Sequence, residues 1–130
     1  MTVMTGGKAL MELFGHEGVE YVFGIPGATE ARFMDLLEDH PEFKFILGLH
    51  EVVVLGMAEG YARTSGKAGV VNLHTAAGLA AGMPMLFNAR LNRVPLLVIG
   101  GQQDSHLLIR EPALTGNLVK MAGEVTKWST

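Results

Sequence analysis

Two kinds of apolar pattern alternate along this chain. Short unbroken apolar runs separate longer stretches in which apolar side chains recur every three or four positions. Leu10, Leu13 and Phe14 follow the second spacing, which predicts a helix over 6–16, with Gly15 and Gly18 bracketing its end. Residues 21–25 form an apolar, aromatic and β-branched run stopped by Pro26-Gly27, the pattern of a buried strand ending in a turn. Thr29 is placed to cap a second helix that buries Phe33, Met34, Leu36 and Leu37, and Asp39-His40-Pro41 ends it. Residues 43–49 read as a second strand, 51–63 as a helix with Val54, Leu55, Ala58 and Ala62 inward, and 69–73 as a third strand. The small-residue run Thr75-Ala76-Ala77-Gly78 then leads into a helix over 79–92. Pro84 inside that helix costs about 3 kcal/mol unless a kink is wanted. A fourth strand over 94–101, broken helix and loop over 109–122, and a short fifth strand over 125–128 complete the pattern.

Strands and helices therefore alternate, and the strands are unbroken apolar runs rather than half-polar ones. That combination predicts an α/β fold of three layers, α/β/α, around a mostly parallel sheet covered on both faces. In such sheets ligands sit beyond the carboxyl ends of the strands. The positions to inspect are thus Ile25-Pro26-Gly27-Ala28, His50-Glu51, His74-Thr75 and Gln102-Gln103.

Composition narrows the function classes. The chain has 130 residues, enough for one ordinary domain, with 48% hydrophobic and 18% charged residues, a globular balance rather than a disordered one. No run approaches the ~18 apolar residues of a membrane span, and the first residues carry no charged-then-apolar leader pattern. The expectation is a cytoplasmic domain. The absence of cysteine excludes a disulfide framework, a thiolate metal site and a thiol nucleophile. Net charge is −3 with scattered Lys and Arg, so nucleic acid is not an expected partner.

Two side chains stand out chemically. Glu51 follows one apolar strand and opens a helix that continues Val52-Val53-Val54-Leu55. A carboxylate there also fits a plain complement to the helix dipole, worth ~0.3–1 kcal/mol when exposed. In so apolar a setting, however, a buried carboxyl is suited to sharing a proton with a ring nitrogen near neutral pH. His74 lies just past the third strand, where a histidine is either a structural group or a proton carrier. His50 orients the turn before Glu51, while His16, His40 and His106 read as surface residues. No metal-ligand spacing occurs. The segment Gly24–Glu30 only loosely matches a phosphate-cradling turn: it lacks G-x-G-x-x-G, and Pro26 removes an amide that such a cradle would use.

Five segments occur in a telling order: Phe23-Gly24-Ile25-Pro26-Gly27, Leu49-His50-Glu51, Gly56-Met57-Ala58-Glu59-Gly60-Tyr61-Ala62-Arg63, Asn72-Leu73-His74-Thr75-Ala76-Ala77-Gly78 and Gly100-Gly101-Gln102-Gln103. From about residue 6 to 130 the chain resembles the N-terminal pyrimidine-binding (PYR) domain of thiamine diphosphate enzymes. The fourth and fifth segments are most similar to benzoylformate decarboxylases. Acetolactate synthases come next, and these usually carry Ser-Gly-Pro-Gly where this chain has Thr75-Ala76-Ala77-Gly78.

The resemblance implies that Glu51 hydrogen-bonds N1′ of the cofactor's aminopyrimidine and so helps generate the carbanion that attacks a 2-oxo acid. It implies that His74 moves a proton on the substrate-derived oxygen or carbon. Ile25, Pro26 and Gly27 would lie by the pyrimidine, and Ala28, Gln102 and Gln103 would line the substrate pocket. Benzoylformate decarboxylases have a serine where this chain has Ala28, whose methyl cannot bond a substrate carboxylate. The family's Gly-Asp-Gly…Asn motif, which holds diphosphate and Mg2+, does not occur here. The resemblance also implies a domain incomplete at its C-terminus, without its last helix and strand, so that the strand at 125–128 would lack a neighbour.

Three functions follow from these readings. The first is the pyrimidine half of the thiamine diphosphate site of a 2-oxo acid decarboxylase or carboligase, inactive alone and completed by a diphosphate-binding domain or subunit. The second is a non-catalytic module that dimerises or binds a partner. The third, a Rossmann-like nucleotide domain, lacks its cradle. Self-association is expected through Val52, Val53, Met57, Met83, Met85 and Leu86, more apolar side chains than one helix face hides, with a free sheet edge beside Val98 and Val125 as the second candidate surface.

Overall fold

In the computed structural model, which describes residues 3–130, four strands form one parallel sheet in the order β2-β1-β3-β4. They are β1 (Tyr21–Gly24), β2 (Lys44–Leu47), β3 (Gly69–Leu73) and β4 (Leu96–Gly100). The main helices are α1 (Gly6–His16), α2 (Ala31–Glu38), α3 (Glu51–Ser65), α4 (Thr75–Leu91) and the short α5 (Leu118–Ala122). Four of the five sequence motifs thus lie at the end of a strand or the start of a helix, and Gly56–Arg63 lies within α3.

Side-chain alternation along β3 divides the core. Val71 and Leu73 pack on one face with Val54, Leu55 and Ala58 of α3 and with Leu79 and Leu86 of α4. Val70 packs on the other face with Met11 and Phe14 of α1, Leu37 of α2, and Phe43. Every residue of β3 is buried, which is why its sequence runs apolar without a polar alternate apart from Asn72. The helices on the two faces make the third and first layers.

Local chemistry sets the element ends. The Thr5 side chain accepts from the Lys8 amide at the start of α1, and Gly66, with φ 73°, ends α3 in a left-handed cap. The expected helix over 79–92 begins earlier, at Thr75, because His74 supplies the extended cap position and Ala76-Ala77 are strong helix formers. Pro84 is tolerated because it and Ala80, whose carbonyl loses its partner, both lie on the exposed side where water satisfies the oxygen. Thr29 does not cap α2; it sits in a one-turn 3-10 helix, Ala28–Glu30, and spends its hydroxyl on Glu30.

The fifth strand does not form. The amides of Val125 and Thr126 both bond the carbonyl of Ala122, so this segment is the exit turn of α5, and Val125 enters the core beside α3 and α4. The apolar character read there as a strand is that of a chain folded back on a helix. The edges of the sheet are β2 and β4, so the edge expected at Val98 is that of β4, and Val125 adds no strand to it. No helix among the described residues is long and apolar enough to cross a membrane.

Candidate functional site

The strand order places a crevice at one end of the sheet. β1 leads away to β2 on one side, while β3 lies on its other side and leads to β4. The loops leaving β1 and β3 therefore diverge, and a ligand finds room between them at the carboxyl ends of the strands. Ile25-Pro26-Gly27 leave β1 there, His74 leaves β3, and Glu51 opens α3 at the same end.

His74 is held from behind. Its Nδ1 lies 2.8 Å from Oε2 of Glu30 and 3.3 Å from the Thr29 hydroxyl. Glu30 was not singled out in the sequence, yet it is only 3% exposed and is the keystone of this corner. Its carboxylate also accepts from the Gly27 amide at 2.7 Å and from the Thr29 hydroxyl at 2.6 Å. A carboxylate can only accept, so the shared proton resides on Nδ1 and leaves Nε2 of the ring to act elsewhere. The signal for Glu30 was local: an acid three residues after a turn glycine reaches back to that glycine's amide.

Two close approaches explain the glycines of this corner. A Cβ on Gly27 would collide with the His74 ring, and a Cβ on Gly101, just beyond β4, would collide with the Glu30 carboxylate. The ring and its carboxylate thus occupy space that any other residue would fill.

Glu51 is half-buried rather than buried. The apolar neighbours that suggested burial, Val54 and Leu55, point into the core one turn later, while the carboxylate itself sits at the sheet's rim. It lies against the first turn of α4. A Cβ on Gly78 would stand 3.2 Å from Oε1 of Glu51 and 3.5 Å from the carbonyl carbon of Leu73, the residue before His74. Glu51 and the end of β3 are therefore neighbours. No hydrogen bond from another described residue engages the Glu51 carboxylate, whereas His50 fills the cap of α3 by accepting from the Val52 amide at 3.2 Å, the orienting role expected of it.

The remaining residues separate. Ile25 packs against the α3/α4 core and its amide bonds the Asn72 carbonyl; Ala28 is exposed at the start of the 3-10 turn. Gln102 Nε2 donates to the Gly116 carbonyl at 2.9 Å and Gln103 Nε2 to the Ala113 carbonyl at 3.2 Å, so both side chains tie down the loop before α5. Gln102 borders a cavity of about 850 Å3 with Gly100, Thr115 and Leu118, on the β4 side of the molecule.

Comparison with known proteins decides the family. Residues 4–118 match the model of the thiamine pyrophosphate enzyme N-terminal TPP binding domain. The chain belongs to that family. It is 42% identical over 124 residues to a benzoylformate decarboxylase of Pseudomonas aeruginosa, an alignment covering 94% of this chain and 23% of that one. It is 31% identical over 126 residues to the catalytic subunit of the mitochondrial acetolactate synthase of Saccharomyces cerevisiae, covering 97% and 18%. Among solved structures, a thiamine diphosphate-dependent 4-hydroxybenzoylformate decarboxylase of Rhodococcus jostii superposes with a TM-score of 0.92 at 36% identity, covering 98% of this chain and 24% of that one. The chain spans about a quarter or less of these relatives. As a thiamine pyrophosphate enzyme N-terminal domain, it presents at the crevice one unengaged carboxylate and one imidazole with a fixed tautomer.

Proposed function

We propose that this domain binds the aminopyrimidine half of thiamine diphosphate in a 2-oxo acid decarboxylase or carboligase. The observation that carries the reading is the pairing, at one strand-end crevice, of the unengaged Glu51 carboxylate with a His74 ring anchored through Nδ1 by Glu30. The donor set fits the group: a ring nitrogen needs an unspent carboxyl at the rim, and Glu51 is half-buried and unspent. We assign the diphosphate and its Mg2+ to another domain or subunit, because the Gly-Asp-Gly…Asn motif does not occur in this sequence.

When bound, thiamine diphosphate supplies the sink for the electrons released as carbon dioxide leaves a 2-oxo acid. Glu51 holds and shares a proton at the pyrimidine nitrogen. His74 gives or takes a proton through Nε2 at the substrate-derived oxygen or carbon, while Glu30 keeps Nδ1 protonated and the ring in place. Gly27 lets the ring lie close against the turn after β1.

The test uses the chain alone and then with a diphosphate-binding domain supplied. The chain alone with thiamine diphosphate and Mg2+ should show no decarboxylation of 2-oxo acids. In the completed enzyme Glu51→Gln should lower turnover by ~100-fold or more, the usual scale of an acid–base contribution, with the circular dichroism spectrum unchanged. Turnover within about twofold of the parent would remove Glu51 from the mechanism.

A further inference from the structure

Thr75, to which the proposed function gives no role, has a backbone that its residue type disfavours. Its φ is 60°, in the left-handed region, where a β-branched side chain is an outlier. It is fully buried. It is also the first residue of α4, directly after His74, which is the one residue between β3 and α4. Its hydroxyl donates to the His74 carbonyl at 2.7 Å, and the same carbonyl accepts the Gly78 amide at 3.0 Å. Both lone pairs of that oxygen are therefore engaged, which fixes the His74 peptide plane while Glu30 holds the ring.

Such strain persists only where surroundings over-determine it, and an observed outlier beside a site is a reason to ask what it positions. A glycine would adopt this φ without penalty. Threonine here instead adds a hydroxyl that grips the carbonyl and a methyl that fills a sealed position. We propose that Thr75 is a positioning residue for His74: its left-handed turn and hydroxyl hold the His74 backbone so that Nδ1 meets Glu30 and Nε2 is presented to the crevice. The role of the ring itself rests on the function proposed above.

The experiment reads the ring, not turnover. Long-range 1H–15N spectra of the chain report the tautomer of His74, and saturation transfer from water reports exchange of its Nδ1–H. The parent and Thr75→Ser should show one Nδ1–H tautomer. Thr75→Gly, which removes both strain and hydroxyl, should show averaged ring nitrogens and Nδ1–H exchange about tenfold faster or more, as expected when a local contact opens. Amide dispersion elsewhere should be unchanged. If Thr75→Gly fails to fold, Thr75→Ala against Thr75→Ser isolates the hydroxyl, and the alanine variant alone should show the faster exchange. Parent-like ring spectra in the folded glycine variant, or in alanine where glycine does not fold, overturn the proposal. Full turnover by His74→Ala in the completed enzyme would sink the proton role of His74 while leaving the ring measurement to decide Thr75.

Discussion

Glu30 is where the site departs most from an ordinary surface turn. A carboxylate 3% exposed is costly unless its charge is matched by donors, and here an amide, a hydroxyl and a ring N–H all point at it. Asn72, two residues before His74, is the opposite case. It is fully buried in the central strand, and neither its Nδ2 nor its Oδ1 has a partner. An unpaired buried amide costs about 1–3 kcal/mol, so Asn72→Val, close in size and well suited to a strand, should stabilise the domain by roughly 1–2 kcal/mol. Urea denaturation of the two proteins measures this; a variant less stable than the parent would show that the amide is satisfied in solution. At this scale sequence reading singled out Glu51 and His74 because they sit after apolar runs, and the structure places both at the carboxyl ends of strands; His50 caps α3 as expected. Sequence reading missed Glu30 because the contact with His74 joins residues 30 and 74, and the local signal, an acid three residues after a turn glycine, points only to the bond with the Gly27 amide. It placed Gln102 and Gln103 with the substrate because they follow a strand; their side-chain amides donate to the carbonyls of Gly116 and Ala113, contacts that no local pattern announces.

At the scale of elements, periodicity located every helix and strand whose apolar residues face a core, and α1 and β3 fall on their expected bounds. It failed for 125–128, where burial of Val125 beneath a helix mimics a strand's pattern without a strand partner. One link between elements titrates. Lys67, in the loop after α3, pairs with Glu20 at the entry to β1 and also donates to the Gly18 carbonyl at 3.3 Å. The hydrogen bond from Lys67 holds the Glu20 carboxyl below its usual range, and the same bond raises Lys67. A carboxyl so depressed lends stability above its ordinary value of 4.5 and withdraws it as pH falls through the lowered one. The raised ammonium lends it below its ordinary value of 10.5 and withdraws it as pH rises past the raised one. Both groups are exposed, so the effect is small. Lys67→Met should lower the melting temperature slightly at pH 7 and by less as pH falls through the lowered Glu20 value; a loss independent of pH would show that the lysine acts through its methylenes and its bond to the Gly18 carbonyl rather than through Glu20.

For the whole molecule, the expected apolar patch is only partly outside. Leu86 is in the core and Val52, Met57, Met83 and Met85 are half-buried, but Val53, Phe87 and Leu91 are largely exposed. Self-association through the α3/α4 face is the expected outcome, since Val53 of α3 and Phe87 and Leu91 of α4 leave apolar surface exposed on these two helices. Sedimentation at ~100 μM, well above a micromolar dissociation constant, should show a species heavier than 13.9 kDa; a single monomer peak counts against it. The order β2-β1-β3-β4 also governs how the site comes into being. Gly27, Glu51 and His74 stand in three separate crossovers of a parallel sheet, which contains no hairpin and closes only through long connections. No local fragment of the chain holds two of them in place, so the crevice exists only in the fully folded domain. A molecule that occupies it is thereby linked to folding itself: it binds the native chain alone and draws the unfolding equilibrium toward it as its concentration rises above the dissociation constant.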